Sequence, residues 1–175
     1  IISNSSSDDG LNIRNSSVEI IESEFSDNYA DQVDLDFCTG IVRDSTFKIN
    51  TGRGLTDQNG DGFDVSGSKI RLLKNNFSGF RDKGISVGEN SNVLIQDNTF
   101  RNNKNAITIK DGSNAFVLDN QFEVNEFMFS IYVKKPFYKN PKLYTSLNIQ
   151  SLDVNNLITG SSEVIFKNQP KDLIL

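Results

Sequence analysis

The chain has no histidine, no tryptophan, one cysteine and three prolines in 175 residues. Without histidine, Ser–His and Cys–His nucleophile pairs are excluded, and so is every histidine-ligated metal centre. A lone Cys38 forms no internal disulfide and builds no cysteine-ligated zinc cluster; it is expected to be a buried free thiol. Without tryptophan, the usual sugar-stacking side chain is missing, which leaves Tyr29, Tyr132, Tyr138 and Tyr144 for that role. No run of about 18 apolar residues occurs, so no transmembrane helix is expected. The formal charge of −5 disfavours nucleic acid as a partner. The sequence starts at Ile1 without Met, and no signal-peptide pattern follows. A processed or longer parent chain is expected, with 1–8 as a coil cut short.

What is abundant is small and polar. Counting the sequence gives 22 Asn and 20 Ser, against 36% hydrophobic residues. Many turns must therefore be served by a modest core. A repeat explains how. DGLNI, DQVDL, DGFDV, KGISV and NAITI recur, with FSIYV as a weaker sixth copy. Their central residues are Leu11, Val33, Phe63, Ile85, Ile107 and Ile131, separated by 22, 30, 22, 22 and 24. Phe25, Phe47, Phe77, Phe100 and Phe122 keep step, and Ser23, Ser45, Asn75, Asn98 and Asn120 stand two residues before them. Between these landmarks lies another short strand pattern, as in Val18/Ile20, Ile70/Leu72 and Val93/Ile95. The period within each piece is two, and no helical period is present. A βαβ unit needs about 30 residues and a helix, so a 22-residue unit is too short for it.

A 22-residue period with a stacked Asn/Ser position resembles the right-handed parallel β-helix of pectate lyases and their relatives. The fold expected is all-β, a solenoid of about 22 residues per coil. Coils are expected over 1–135, with irregular coils and a C-terminal cap of the same domain over 136–175. Phe residues are expected to stack inside, and Asn side chains to satisfy buried backbone between coils. VDLDF (Val33–Phe37), DGFDVSGS (Asp61–Ser68), DKGISVGE (Asp82–Glu89), KDGS (Lys110–Ser113) and YVKKPFY (Tyr132–Tyr138) are also similar to a bacterial β-helix group, some members of which accompany spore-coat-type kinase modules.

Alternation in the first strand of each coil sends neighbours of the inward residues outward. One outward column reads Asn12, Asp34, Asp64, Ser86, Thr108, Tyr132; the next reads Arg14, Asp36, Ser66, Gly88, Lys110, Lys134, with Glu89 beyond. Coils stack about 4.8 Å apart, so Asp34 and Asp64 would face each other as like charges, which raises a pKa or recruits a cation. Asp34 and Asp36 lie about 6.7 Å apart on one face. The insert between coils two and three supplies Asp57-x-Asn59-x-Asp61-Gly62, which matches the start of a calcium loop. The twelfth position is Ser68 and not Glu, so the same residues also read as an Asn-Gly/Asp-Gly turn.

The β-helix resemblance implies a polysaccharide partner, in an extracellular or cell-envelope setting. The lead reading is lyase- or epimerase-type chemistry on an acidic glycan, with Asp34, Asp64, Lys83 and Lys110 as catalytic residues. Calcium on Asp34, Asp36 and Asp64, or in the loop on Asp57, Asn59 and Asp61, would neutralise a uronate carboxylate, and Lys83 or Lys110 would take the α-proton. Asn12, Asp36, Ser66, Glu89, Tyr132 and Lys134 are the expected substrate contacts. Hydrolysis by paired carboxylates ranks lower, because such spacings come with any sheet. The alternative is a non-catalytic carbohydrate-binding or structural module.

Overall fold

The structure, a computed structural model, describes residues 1–6, 8–50 and 60–145, and the backbone of two later strands, Leu157–Ile158 and Glu163–Phe166. Every described strand pairs in parallel with its counterpart one coil away, in three sheets. The carboxylate sheet stacks Leu11–Arg14, Val33–Asp36, Phe63–Ser66, Lys83–Gly88, Asn105–Lys110, Phe127–Tyr132 and Leu157–Ile158. A second sheet runs from Ser17–Ile21 to Glu163–Phe166, and a third from Ile2–Ser3 to Gln121–Glu123. No helix occurs among the described residues, so none is long and apolar enough to cross a membrane.

The core is a file of repeated side chains. Phe25, Phe47, Phe77, Phe100 and Phe122 stack with ring centroids 4.8–5.2 Å apart, one per coil. The three corners of the first coil have left-handed φ, at Asn15, Glu22 and Asp27. The corners of the coil hold inward polar side chains that accept buried N–H groups from the neighbouring coil. The expected ladder is present: Ser23, Ser45, Asn75 and Asn98 donate their N–H groups to Ser45 Oγ, Asn75 Oδ1, Asn98 Oδ1 and Asn120 Oδ1, at 2.8–3.0 Å. A second, unforeseen ladder runs from the Cys38 N–H through Ser68 and Ser91 to Ser113 Oγ. Cys38 is a buried free thiol, as expected. At the third corner, the Asn103 N–H donates to Asn125 Oδ1 at 3.0 Å.

That last bond corrects the sixth coil. Alternation alone let Ile131 and Val133 be the inward pair, but the register sets Phe129 beside Ile107 and Ile131 beside Ile109. Phe129 is buried and meets the Phe122 ring edge-on at 5.6 Å, whereas Val133 is 36% exposed. Stacking Asn125 on Asn103 keeps the step at 22 through the first strand of the sixth coil, and the step grows to 28 at the next sheet, where Lys142 pairs with Asn114. Tyr132 therefore lies beside Lys110 in the second outward column, and Ser130 takes the place beside Thr108. Lys134 falls beyond the strand, exposed, with its N–H donated to Asp111 Oδ1 at 2.7 Å.

Candidate functional site

The carboxylate sheet holds its acidic groups in rows because strands in register repeat the same face every coil. Asp34 sits beside Asp64, as the sequence pattern requires, and Asn12 flanks Asp34 on the other side. The Asn12 amide donates to Asp34 Oδ2 at 2.6 Å and to Asp9 Oδ2 at 3.3 Å.

A second acidic row, at the entry to the strands, was not foreseen. The Asp31 N–H donates to Asp9 Oδ1 at 3.0 Å, and the Asp61 N–H to Asp31 Oδ1 at 2.6 Å. Carboxylate oxygens of Asp31, Asp61 and Asp64 all lie within 4.8 Å of one another. The signal was in the sequence: D-x-x-D occurs at Asp31/Asp34 and again at Asp61/Asp64. Strict alternation hid it, since Asp31 and Asp61 precede their strands.

Electrostatics follow from this crowding. Burial pushes Asp31 up to about 7, helped by Asp64, Asp9 and Asp34 against the hydrogen bond from the Asp61 N–H. Burial and then the neighbouring Asp64, Asp36 and Asp9 push Asp34 up to about 7, against Arg14. Asp61 is also pushed up by burial, then by Asp31 and Asp64, against the pull of Lys83. Burial alone would lower Lys83, but Asp61 and Asp82 outweigh it and hold the ammonium above its ordinary range. Its Nζ donates to Asp61 Oδ1 and Oδ2 at 3.1 and 3.3 Å and also pairs with Asp82. A lysine committed in this way is the opposite of the depressed amine that proton abstraction needs.

Other candidates are placed apart from the cluster. Asp36 is tied to Arg14, whose Nε and Nη2 approach its Oδ2 at 2.6 and 2.5 Å. Ser66 lies in the same column, beside Gly88. Glu89 pairs with Lys135 at the strand exit. The Lys110 side chain lies over Gly88, where a methyl group would meet its Cε at 3.5 Å. Burial raises the Tyr132 hydroxyl, with Lys83 acting against it. Asp57 and Asn59 lie outside the described residues, whereas Asp61, the third member of that motif, belongs to the cluster.

The column faces outward from the sheet, yet two of its members are covered: Ser86 is 0% exposed and Thr108 is 1% exposed. Asp64 Oδ1, Ser86 Oγ and Thr108 Oγ1 are buried and find no hydrogen-bond partner. They occupy three successive rungs of the column. Buried oxygens of this kind are costly to leave unmatched. Asp31, Asp61 and Asp64 converge carboxylate oxygens, the ligand type a hard divalent cation takes, with the Lys83 ammonium also on Asp61. Burial, with crowding behind it, also lets Asp31 and Asp34 take up protons near neutrality.

No curated protein and no solved structure matches the chain. A family model described as the right handed beta helix region matches residues 1–143.

Proposed function

The chain belongs to the right-handed β-helix family, and from that premise we propose that it holds an acidic polysaccharide, outside the cell or at its envelope, through a divalent cation on the carboxylate strip. Calcium is the ion that suits the site. The observation that carries this reading is the cluster of Asp31, Asp61 and Asp64 oxygens within 4.8 Å, with Asp64 Oδ1 buried and unmatched. Asp34, beside Asp64, adds a further oxygen. A bound calcium ion would neutralise the crowded carboxylates and leave coordination positions for a uronate. The Asn12 amide holds the Asp34 carboxylate, and the Asp61 N–H holds the Asp31 carboxylate.

Binding is favoured over turnover because Lys83 is held by Asp61 and Asp82. Elimination at a uronate is the second reading, and Lys110 is the amine it would use. Its stem lies across Gly88 on the same sheet face.

The test is calorimetric titration with calcium above neutral pH, on the wild type and on Asp31→Asn and Asp64→Asn. Binding weakened at least tenfold in each variant is expected. No heat up to millimolar calcium in the wild type sinks the cation reading. Retention on a uronate gel in calcium, and release by chelator, tests the glycan. Ultraviolet absorbance of unsaturated product, absent in Lys110→Ala, would establish elimination in place of binding.

A further inference from the structure

We infer that Phe37 is an aromatic platform on which a sugar ring of the bound polymer stacks, at the exit edge of the carboxylate strip. The inference rests on the polysaccharide reading above and adds a subsite to it. At this corner the first five coils have left-handed φ, and the residues there are Asn15, Phe37, Gly67, Glu89 and Asp111, with φ of 51, 53, 60, 58 and 51°. Asn, Asp and Gly suit that conformation. A bulky aromatic does not, and such an outlier at a surface points to a use beyond the fold.

The ring is 59% exposed. It lies over Gly67, where a Cβ would sit 2.6 Å from both Phe37 Cδ1 and Cε1. One side of the ring is therefore supported on backbone, and the rest faces solvent. Asp36 precedes it in sequence and is bound to Arg14, whose side chain is 69% exposed. Two of the guanidinium's nitrogens are used on Asp36, which leaves other N–H donors for a ligand. Ser66 follows in the same column as Asp36. An exposed apolar ring at the edge of a strip of hydrogen-bonding groups fits a pyranose ring, which has an apolar C–H face and polar edges.

The experiment compares the wild type with Phe37→Asn and Phe37→Trp, using calorimetry with a uronate hexasaccharide and its neutral counterpart. Asn15 already occupies this corner, so Phe37→Asn is expected to fold with an equal or higher Tm. It should bind the uronate oligomer about tenfold more weakly, while Phe37→Trp binds at least as well as the wild type. A Phe37→Asn affinity equal to that of the wild type overturns the platform and leaves the polysaccharide reading standing. Binding of the neutral oligomer with the same dependence on residue 37 keeps the platform and drops the cation-held uronate. No binding of either oligomer by the wild type overturns both.

Discussion

Two sides of the same coil obey different rules. At the corner before the third sheet and inside that sheet, each rung repeats its neighbour: Phe on Phe, and Asn or Ser on Asn or Ser. On the outer face of the carboxylate sheet the residue type changes along the column, from Asn12 through Asp34, Asp64, Ser86 and Thr108 to Ser130. The repeating side has its polar atoms matched along the ladder. The varying side leaves three oxygens unmatched and crowds carboxylates within 4.8 Å. The first side makes the solenoid. The second spends stability on a surface that only a ligand or a proton can relieve.

The largest effect should come from breaking the regular side. Phe77 is fully buried and stacks between Phe47 and Phe100 at 4.8 and 5.2 Å. Phe77→Ala removes a ring that the flanking rings, held by their own strands, cannot replace by collapse. A loss of about 4 kcal/mol is expected in denaturant unfolding. A loss below about 1 kcal/mol would mean that the stack is not what carries the coil.

This contrast also explains what was legible in advance. The solenoid was readable because Phe, Asn and the inward aliphatic residues recur in step, and the physics of each rung is the same. The sixth coil is harder to place because FMFSIYV alternates equally well in two registers. The Asn103–Asn125 bond and the burial of Phe129 decide between them only once the coils are stacked. Asp34 beside Asp64 followed directly from the period. Asp31 and Asp61 did not, because residues ahead of a strand have no fixed face. Nor was the state of Lys83 legible: its sequence neighbour Asp82 and its coil neighbour Asp61 close on it only once the chain is stacked.

The acidic side makes a pH prediction of intermediate size. Asp31 and Asp34 have folded pKa values of about 7, raised from 3.8. The folded state then holds more protons than the unfolded state between these limits, so stability falls as pH rises. The contribution is fully present below the unfolded value and lost by about pH 7. Both groups are partly exposed, so after solvent screening the combined loss is about 2 kcal/mol. Denaturant unfolding from about pH 4 to 8 reads it. Calcium should flatten the slope above neutrality. A stability that rises over this interval, in the absence of a divalent ion, would refute the crowding.

The smallest effect tests the contrast by its sign. Thr108 Oγ1 is buried without a partner between the rungs of Ser86 and Ser130, whereas Asn98 uses its amide for the ladder. Replacing a buried hydroxyl that has no partner by a methyl of similar size removes a desolvation cost and breaks no bond. Thr108→Val should therefore gain about 1 kcal/mol. Asn98→Leu, also a polar-to-apolar change of similar size, should lose stability, because it strips the Asn75 N–H of its acceptor Asn98 Oδ1 at 2.8 Å. Thermal unfolding of the two variants gives the answer directly. If both lose stability, the row of Asp64, Ser86 and Thr108 is part of the scaffold and the two sides of the coil are built alike. If only Asn98→Leu loses it, the unmatched row is a cost that the fold itself does not require.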